Sequence, residues 1–484
     1  MKVIFKFEMS PEIGGGHFKR SSNLALKLKQ YGCKVYFITN NNFFLKKFSQ
    51  ANKIPIYFIK EDTPRNNIAI IKKIKNIDLL IIDNYKINYD FEKKISKFVR
   101  KILIIDDYKS KKHFCNYYLN PSPNIKINDI KKINNSAQKF LGLDSLILDV
   151  HYEKKKIPTK KKKIVSVLIF ISYTDHNNVT SKILDIFSDS KYKKLNFFII
   201  SGINSKKKYI SSHETVPKNF IFLKNQKSLF GILTNIDIAI GSGGINLWER
   251  CFMGVPSLVI KLSKNQDNNV NFLKQNKCIV VANLKSLKNI ENSFDRLLKN
   301  YDNIFNNIRD FNYKLDAYGS DRIAYSLINP DLKCLKLTQA KKEDIFFLYK
   351  LAQDKTTIKY SLSGKSFKFK DHEKWFSDKL KSKDTKIFIL NYKKLRLGQL
   401  RMDIKAKEII IDYSVDIFFR NRGLGNFIIR NMIKYIKENT AIYKNRKIVA
   451  VVHRKNLMSI SIFTKYSFVK QNIDSKFFKF ILKI

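Results

Sequence analysis

Proline and glycine are scarce in this sequence, at 9 and 16 residues of 484, which excludes a collagen-like chain and, with hydrophobic residues at 44%, a mostly disordered one. Cysteine is scarce as well. The five, Cys33, Cys115, Cys251, Cys278 and Cys334, stand far apart without a CxxC pair, and only Cys115 has a histidine close by, His113. That is a reduced inventory, neither a disulfide framework nor a metal knuckle, and it leads us to expect a cytoplasmic chain that uses no metal. Long apolar runs are missing: no stretch approaches the ~20 residues of a membrane span. The segment 1–9 alternates apolar and charged residues instead of building a signal core. Acidic residues are few, 41 against 93 basic, a net charge of +52. Such a balance ordinarily points to nucleic acid or an anionic surface. Here the surplus is mostly lysine, spread over the whole length beside abundant Ile, Asn, Phe and Tyr, as AT-rich coding favours, and no discrete basic stripe marks a nucleic-acid face. The charge predicts a positive field attractive to phosphorylated small molecules and anionic lipids, with no specific nucleic-acid partner.

What is present is enough apolar sequence for several cores, in a chain too long for one. Val3 to Phe7 reads as a strand running into a Gly-rich turn, and Phe18 to Gln30 as a helix. Lys34 to Thr39, Leu79 to Asp83 and Lys101 to Asp106 read as further strands; the last two are apolar runs ending in Asp, as suits strands covered on both faces. A lysine-rich stretch, 153–163, reads as a linker. A second alternating series starts at Ile164 and continues through Asn196 to Ile200, Phe220 to Leu223, Ile236 to Ile240 and Ser257 to Ile260. A third unit opens near Lys333, with strands at Lys386 to Leu390, Gly398 to Met402 and Glu408 to Val415. The expected domains are therefore 1–152, 164–330 and 333–484, the first two being open α/β units with a cleft between them.

Three groups of residues carry chemistry. Gly14-Gly15-Gly16-His17 puts an imidazole on a Gly-rich turn before a helix, and Asp83 and Asp107 stand at strand ends, where open α/β sheets bind their ligands. Gly241-Ser242-Gly243-Gly244 follows a strand and opens a helix, so that bare N–H groups are available to a diphosphate and Glu249 to ribose hydroxyls. Asn265 and Gln266 offer amides to sugar hydroxyls or phosphate. In the third unit, Arg420-Asn421-Arg422-Gly423-Leu424-Gly425-Asn426 between a strand and a helix is a second anion seat.

Gly14 to His17 with Arg20, Leu79 to Asp83 with Tyr85, Asp106-Asp107, Ser242-Gly243-Gly244 with Trp248-Glu249, and Asn265-Gln266 together resemble the nucleotide-sugar hydrolases of pseudaminic acid biosynthesis. The resemblance covers roughly 1–330 and implies a GT-B fold of two Rossmann-like domains. It implies hydrolysis of UDP-2,4-diacetamido-2,4,6-trideoxy-β-L-altropyranose to free sugar and UDP. It makes His17 the catalytic base toward water, with Asp83 or Asp107 as the group that orients or recharges it. Gly15, Gly16, Arg20, Ser242, Gly243, Gly244, Glu249, Asn265 and Gln266 become the UDP-sugar-binding residues. Two places depart from the family pattern: Ser172-Tyr173 stands where a Gly-Gly pair is usual, and Leu148-Asp149 where an Arg is.

The Arg422 to Asn426 loop, followed by the strand Ile448 to Val452, Asn456 and Phe463, is similar to the GNAT acetyltransferases over 333–484. This implies acetyl-CoA as co-substrate, held by Val415, Ile417, Arg420, Arg422, Gly423, Leu424, Gly425, Asn426 and Asn456. Phe463 stands where some members place a Tyr general acid, leaving Tyr413 and Tyr466 as candidates. His372 reads as a helix-surface residue, Trp375 and Phe376 as core. Joined in one chain, the two resemblances imply consecutive steps: acetylation of a UDP-4-amino sugar, then hydrolysis of the product. Rival readings are a GT-B glycosyltransferase in which His17 activates an acceptor hydroxyl, and a polyanion binder using the net charge, with steeply salt-dependent affinity.

Overall fold

A computed structural model describes residues 1–8, 15–40, 43–108, 111–153, 163–172, 175, 178–200, 216–223, 226, 228–284, 286–312, 315–328, 330–443 and 445–483. Gly14, Tyr173 and most of the proposed linker lie outside them. The chain forms two compact units, Met1–Ile328 and Asn329–Ile484.

The first unit holds two parallel sheets. One is built from β1 (Lys2–Phe7), β2 (Lys34–Thr39), β3 (Ile56–Phe58), β4 (Leu79–Asp83), β5 (Ile102–Ile105), β6 (Tyr117–Asn120) and β7 (Gln138–Leu141), in the order β3-β2-β1-β4-β5-β6-β7. β4 and β5 are buried along their length and β1 from Val3 onward, as their largely apolar runs require when helices cover both faces. The order reverses between β1 and β4, which places the chain following β1 and the end of β4 at the switch point. The other sheet repeats the plan with β8 (Ser166–Phe170), β9 (Asn196–Ile199), β10 (Phe220–Phe222), β11 (Ile238–Ser242), β12 (Ser257–Ile260) and β13 (Ile279–Ala282), in the order β10-β9-β8-β11-β12-β13.

Amphipathic helices close the faces. The helix Leu287–Lys299 is capped by Ser286, whose hydroxyl accepts from the Asn289 N–H, and it buries Ile290, Phe294 and Leu297, three residues on one stripe. Each contributes roughly 1.5–3 kcal/mol by leaving water. The helix Gly319–Leu327 ends the unit by returning to the first half. There Asp321 accepts from the Tyr31 hydroxyl and pairs with Lys27 at 3.0 Å, and Arg322 donates to the Asp144 carbonyl. The two halves are thus tied by buried charge as well as by chain connectivity.

The second unit is one mixed sheet of β14 (Leu335–Gln339), β15 (Thr385–Tyr392), β16 (Leu395–Ile404), β17 (Glu408–Val415), β18 (Lys447–His453), β19 (Val469–Asn472) and β20 (Phe477–Lys483), in the order β14-β15-β16-β17-β18-β20-β19. All pairings are antiparallel except β17 with β18. Those two strands pair only at Glu408–Ile410 with Lys447–Val449 and then part, leaving the edge of β17 beyond Ile410 open on that side. The α/β class and the plan of two parallel, Rossmann-like sheets followed by a mixed sheet are as the motifs imply.

Six strands, β3, β6, β7, β13, β19 and β20, had no counterpart in the sequence reading; the first five are three or four residues long and carry little periodic signal. The first helix starts at Gly16, so His17 sits in its first turn and not on the preceding loop.

Candidate active site

At the switch point of the first sheet, β4 ends in Asp83, whose side chain is fully buried, and the helix following β1 brings His17 and Arg20 onto it. His17 Nδ1 contacts Asp83 Oδ1. Arg20 clamps the same carboxylate from the other side, Nε to Oδ2 and Nη2 to Oδ1, both at 2.6 Å, and Ser21 Oγ donates to it at 3.2 Å. The second arm of Arg20 takes Asp107, Nη1 lying 2.9 and 2.7 Å from its two oxygens, and the Tyr85 hydroxyl donates to Asp107 as well. Burial works against the Asp83 charge, but Arg20 and then His17 outweigh it and hold the carboxyl well below the usual range. Arg20 likewise stays a cation, since Asp107 and Asp83 more than offset its desolvation. An ionised Asp83 on Nδ1 keeps the proton there and leaves Nε2 with a lone pair, the tautomer a general base needs.

A cavity of about 180 Å³ opens on this face, lined by Glu8, His17, Asp83, Asn84, Tyr85 and Lys86. The Tyr85 ring packs edge-on against the imidazole, 4.5 Å between centroids. Three cavity residues were missed from sequence: Glu8, which pairs with Lys86 at 2.9 Å, and Asn84, whose amide donates to Asp62. Asp62 also holds Lys6, which is 2% exposed. Lys6, a lysine between two phenylalanines near the end of β1, was the available signal.

Two sequence expectations are corrected here. Asp107 does not reach the imidazole; Arg20 and Tyr85 take it, so Asp83 alone orients His17. Arg20 is committed to these carboxylates rather than presented to a ligand, because two buried anions need a fixed cation between them. Gly15 is the N-cap of the helix, its carbonyl accepting from Lys19 N–H, and Gly16 faces open space.

In the second half, Ser242 ends β11 and Gly244 caps the helix Ile245–Phe252. The loop is held from beneath. Arg250 donates through Nη2 to the Ser242 carbonyl at 2.8 Å and through Nε to Ser257. Gln266 Oε1 accepts from the Gly243 and Leu262 N–H groups, each at 3.1 Å. The Gly243 N–H is therefore not bare, and Gln266 acts on the backbone, not on a sugar; Asn265 is held by the Ser263 hydroxyl. A Cβ on Gly243 would lie 2.4 Å from Val270 Cγ2. Gly243→Ala is expected to cost about 1–3 kcal/mol by overpacking, read as a lowered denaturation midpoint; an unchanged midpoint would show that Val270 yields freely.

Trp248 is core, 1% exposed, beside Phe272 and Phe311. Glu249 is 1% exposed and its Oε1 has no hydrogen-bond partner among the described residues. Burial pushes its carboxyl up to about 7; Lys19, from the first half, opposes this and Asp149 adds to it. An orphaned buried acceptor facing the other domain's charges is a place for hydroxyl donors.

In the second unit, Gly423 caps the helix Leu424–Glu438 with φ +76°, a conformation that favours glycine, and so turns the chain from Arg422 into a first helical turn that begins Leu424-Gly425-Asn426. Leu424 is buried; Gly425 lies against Ile462 and Tyr413, where a Cβ would sit 2.8 Å from Ile462 Cδ1. Asn426 Oδ1 is buried without a hydrogen-bond partner among the described residues. Val415 ends β17 and Ile417 is 54% exposed beyond it. Arg420 is otherwise engaged: Nε donates to the Val415 carbonyl and Nη2 to Asp354 at 2.7 Å, so it braces the loop instead of reaching for phosphate. Asn456 Oδ1 caps the helix Leu457–Lys465 through the Ser459 N–H. Tyr413 and Tyr466 flank the loop, the first 3.0 Å from Ser459 Oγ and pushed up to about 12 by burial, the second donating to the Asn426 carbonyl.

His372 is not on the surface. It is 5% exposed among Tyr349, Phe367, Trp375 and Phe376, and burial lowers its imidazole to about 4. Its position on the inward face of the helix Phe369–Lys381 is what the reading of that segment missed.

No family model matches the chain. A protein of Methanocaldococcus jannaschii described as uncharacterized is 23% identical over 501 residues, 97% of this chain and 97% of its own length. The spore coat polysaccharide biosynthesis protein SpsG of Bacillus subtilis is 25% identical over 53% of the chain and 76% of its own length. The UDP-2,4-diacetamido-2,4,6-trideoxy-beta-L-altropyranose hydrolase of Campylobacter jejuni is 27% identical over 56% of the chain and 96% of its own length. Among solved structures, Acinetobacter baumannii MurG covers 67% of the chain and 98% of its own length at 14% identity and TM-score 0.48; Campylobacter jejuni N-acetyltransferase PseH covers 31% and 98% at 17% identity and TM-score 0.25. The chain is thus similar in sequence to a UDP-2,4-diacetamido-2,4,6-trideoxy-beta-L-altropyranose hydrolase over more than half its length, and its solved neighbours include MurG and an N-acetyltransferase.

Proposed function

We propose that residues 1–330 hydrolyse a UDP-linked diacetamido-trideoxy sugar of the altropyranose type to free sugar and UDP, and that residues 333–484 form its acetamido group beforehand by N-acetylating the UDP-4-amino sugar. The observation that carries the reading is the imidazole of His17, fixed through Nδ1 on an ionised, fully buried Asp83 at the mouth of a cavity. Nε2 takes a proton from water as the water oxygen bonds the anomeric carbon, and the bond from that carbon to the diphosphate oxygen breaks, releasing UDP. UDP is a competent leaving group, so positioning and one base suffice. Glu249 offers its unpartnered oxygen to the ribose.

In the last unit, the N–H groups of Arg422 to Asn426 would hold the pyrophosphate of acetyl-CoA and the open edge of β17 its amide-bearing arm, since unpaired strand groups need partners. Acetyl-CoA, when bound, supplies an activated acyl group. Tyr413, its phenol neutral well above pH 7, can return a proton to a departing thiolate. The similarity to the Campylobacter hydrolase and to SpsG supports the sugar-nucleotide class.

Incubating the full chain with a UDP-4-amino sugar and acetyl-CoA is expected to yield free CoA, UDP and a free diacetamido sugar by mass spectrometry. Absence of CoA release removes the acetyltransferase assignment, and UDP release that depends strictly on an added acceptor replaces hydrolysis by glycosyl transfer.

A further inference from the structure

Between β5 and β6 the chain carries His113, an imidazole with two carboxylates. Its Nδ1 lies 2.6 Å from Glu92 Oε1 and its Nε2 3.2 Å from Asp106 Oδ2, and all three side chains are at most 3% exposed. The remaining oxygens are spoken for: Glu92 Oε2 accepts from the Phe114 N–H at 2.7 Å and Asp106 Oδ1 from the Tyr108 N–H at 3.1 Å. A neutral imidazole donates from one nitrogen only, so it would set a lone pair against one of the two anions; an imidazolium satisfies both. Burial opposes the charged ring, but the hydrogen bonds to Asp106 and Glu92 raise it to about 8. The other groups packed there leave it that role. Cys115 is pushed up to about 12 by burial and by Glu92, and Tyr118 is raised by burial and by Asp106, so both are neutral near pH 7. Lys139 of β7 is the nearby cation acting on Cys115.

We propose that His113 is a positioning residue of the first site: as a cation between Glu92 and Asp106 it fixes the turn Asp106–Tyr108, which sets Asp107 on Arg20 and Tyr85 and, through Arg20, Asp83 on His17. Nothing in the hydrolytic step needs His113 to touch substrate; it acts through the neighbour of Asp106. The kinetic part of the test rests on the hydrolase reading, and the spectroscopic part does not. A folded-state value above the unfolded ~6.5 means that the contribution is complete below about pH 6.5 and is lost as pH rises through about 8.

Wild-type kcat for UDP release is therefore expected to fall on an alkaline limb near pH 8 with KM unchanged. His113→Gln lowers kcat about 10- to 100-fold and abolishes the limb, while His113→Arg, a cation at every pH, keeps kcat at pH 9. An unaltered kcat and alkaline limb in His113→Gln overturn the proposal. Histidine-labelled NMR of the full chain supplies the second readout. The signal lost in His113→Gln should titrate near pH 8 in the wild type, and the His17 signal, assigned with His17→Gln, should shift when His113 is replaced. If His113→Gln does not fold, His113→Arg assigns the signal instead; an imidazole neutral at pH 7, or a His17 signal indifferent to the replacement, overturns the proposal. If the wild type releases no UDP at all, the hydrolase reading fails and the NMR outcomes still decide this one.

Discussion

His17→Ala is expected to lower UDP release by about 10²- to 10⁴-fold, the usual contribution of a positioned general base, with KM changed little. The loss falls on kcat because the imidazole stands on the cavity wall with only its Nε2 turned to the reaction, while the groups assigned to the nucleotide lie on the other half of the unit. The fold should survive: Asp83 keeps both bonds from Arg20 and the one from Ser21 when the imidazole is gone. Asp83→Asn is the companion experiment. It preserves shape but no longer holds the proton on Nδ1, so it should reproduce much of the kinetic loss. Equal UDP release from the wild type and His17→Ala would sink the assignment of the base.

Arg20→Met is expected to destabilise the protein by about 3–5 kcal/mol at pH 7, the magnitude for removing one partner from a buried ion pair. The reason lies in the geometry: Asp83 has no exposed side-chain surface and shares Arg20 with Asp107, so without the guanidinium the two carboxylates lose their common cation, and His17 and Ser21 remain on Asp83 and Tyr85 on Asp107. The pH dependence has a definite sign. The folded-state value of Asp83 is depressed, so its stabilisation is present above the unfolded value of ~3.9 and fades as pH falls through the lower, folded one. Without Arg20 that depression shrinks, and the gap between wild type and variant should be widest at neutral pH and narrow toward pH 3. Calorimetry of the full chain at several pH values measures it. A gap that is constant with pH would mean that Arg20 acts through packing of its alkyl stem and not through charge.

How far the sequence could be read differs from element to element for physical reasons. The runs Leu79–Asp83 and Ile236–Ile240, the latter observed as Ile238–Ser242, were recognisable because strands covered on both faces must be largely apolar, and such runs stand out against a lysine-rich background. The short strands β3, β6, β7 and β13 were not, since their pairing comes from neighbours distant in sequence. At the site, His17 and Asp83 could be named from glycines and strand ends. That Arg20, Asp107 and Tyr85 spend themselves on one another depends on side-chain directions that no spacing encodes. The same holds for Gln266 on the Gly243 N–H and for Arg420 on Asp354: long polar side chains near a glycine loop look like ligand contacts until their partners are seen.

By itself the sequence determined the class of each domain and the residue types at the two anion seats, because apolar period, glycine placement and strand–loop–helix order are local properties of a chain. Only the tertiary structure decided which polar groups remain free for a ligand. Among the described residues Glu249 Oε1 and Asn426 Oδ1 are left unpartnered, whereas Arg20, Arg420 and Gln266 are consumed by partners 87, 66 and 23 positions away, because hydrogen-bond supply and demand are settled between distant parts of the chain once water is excluded.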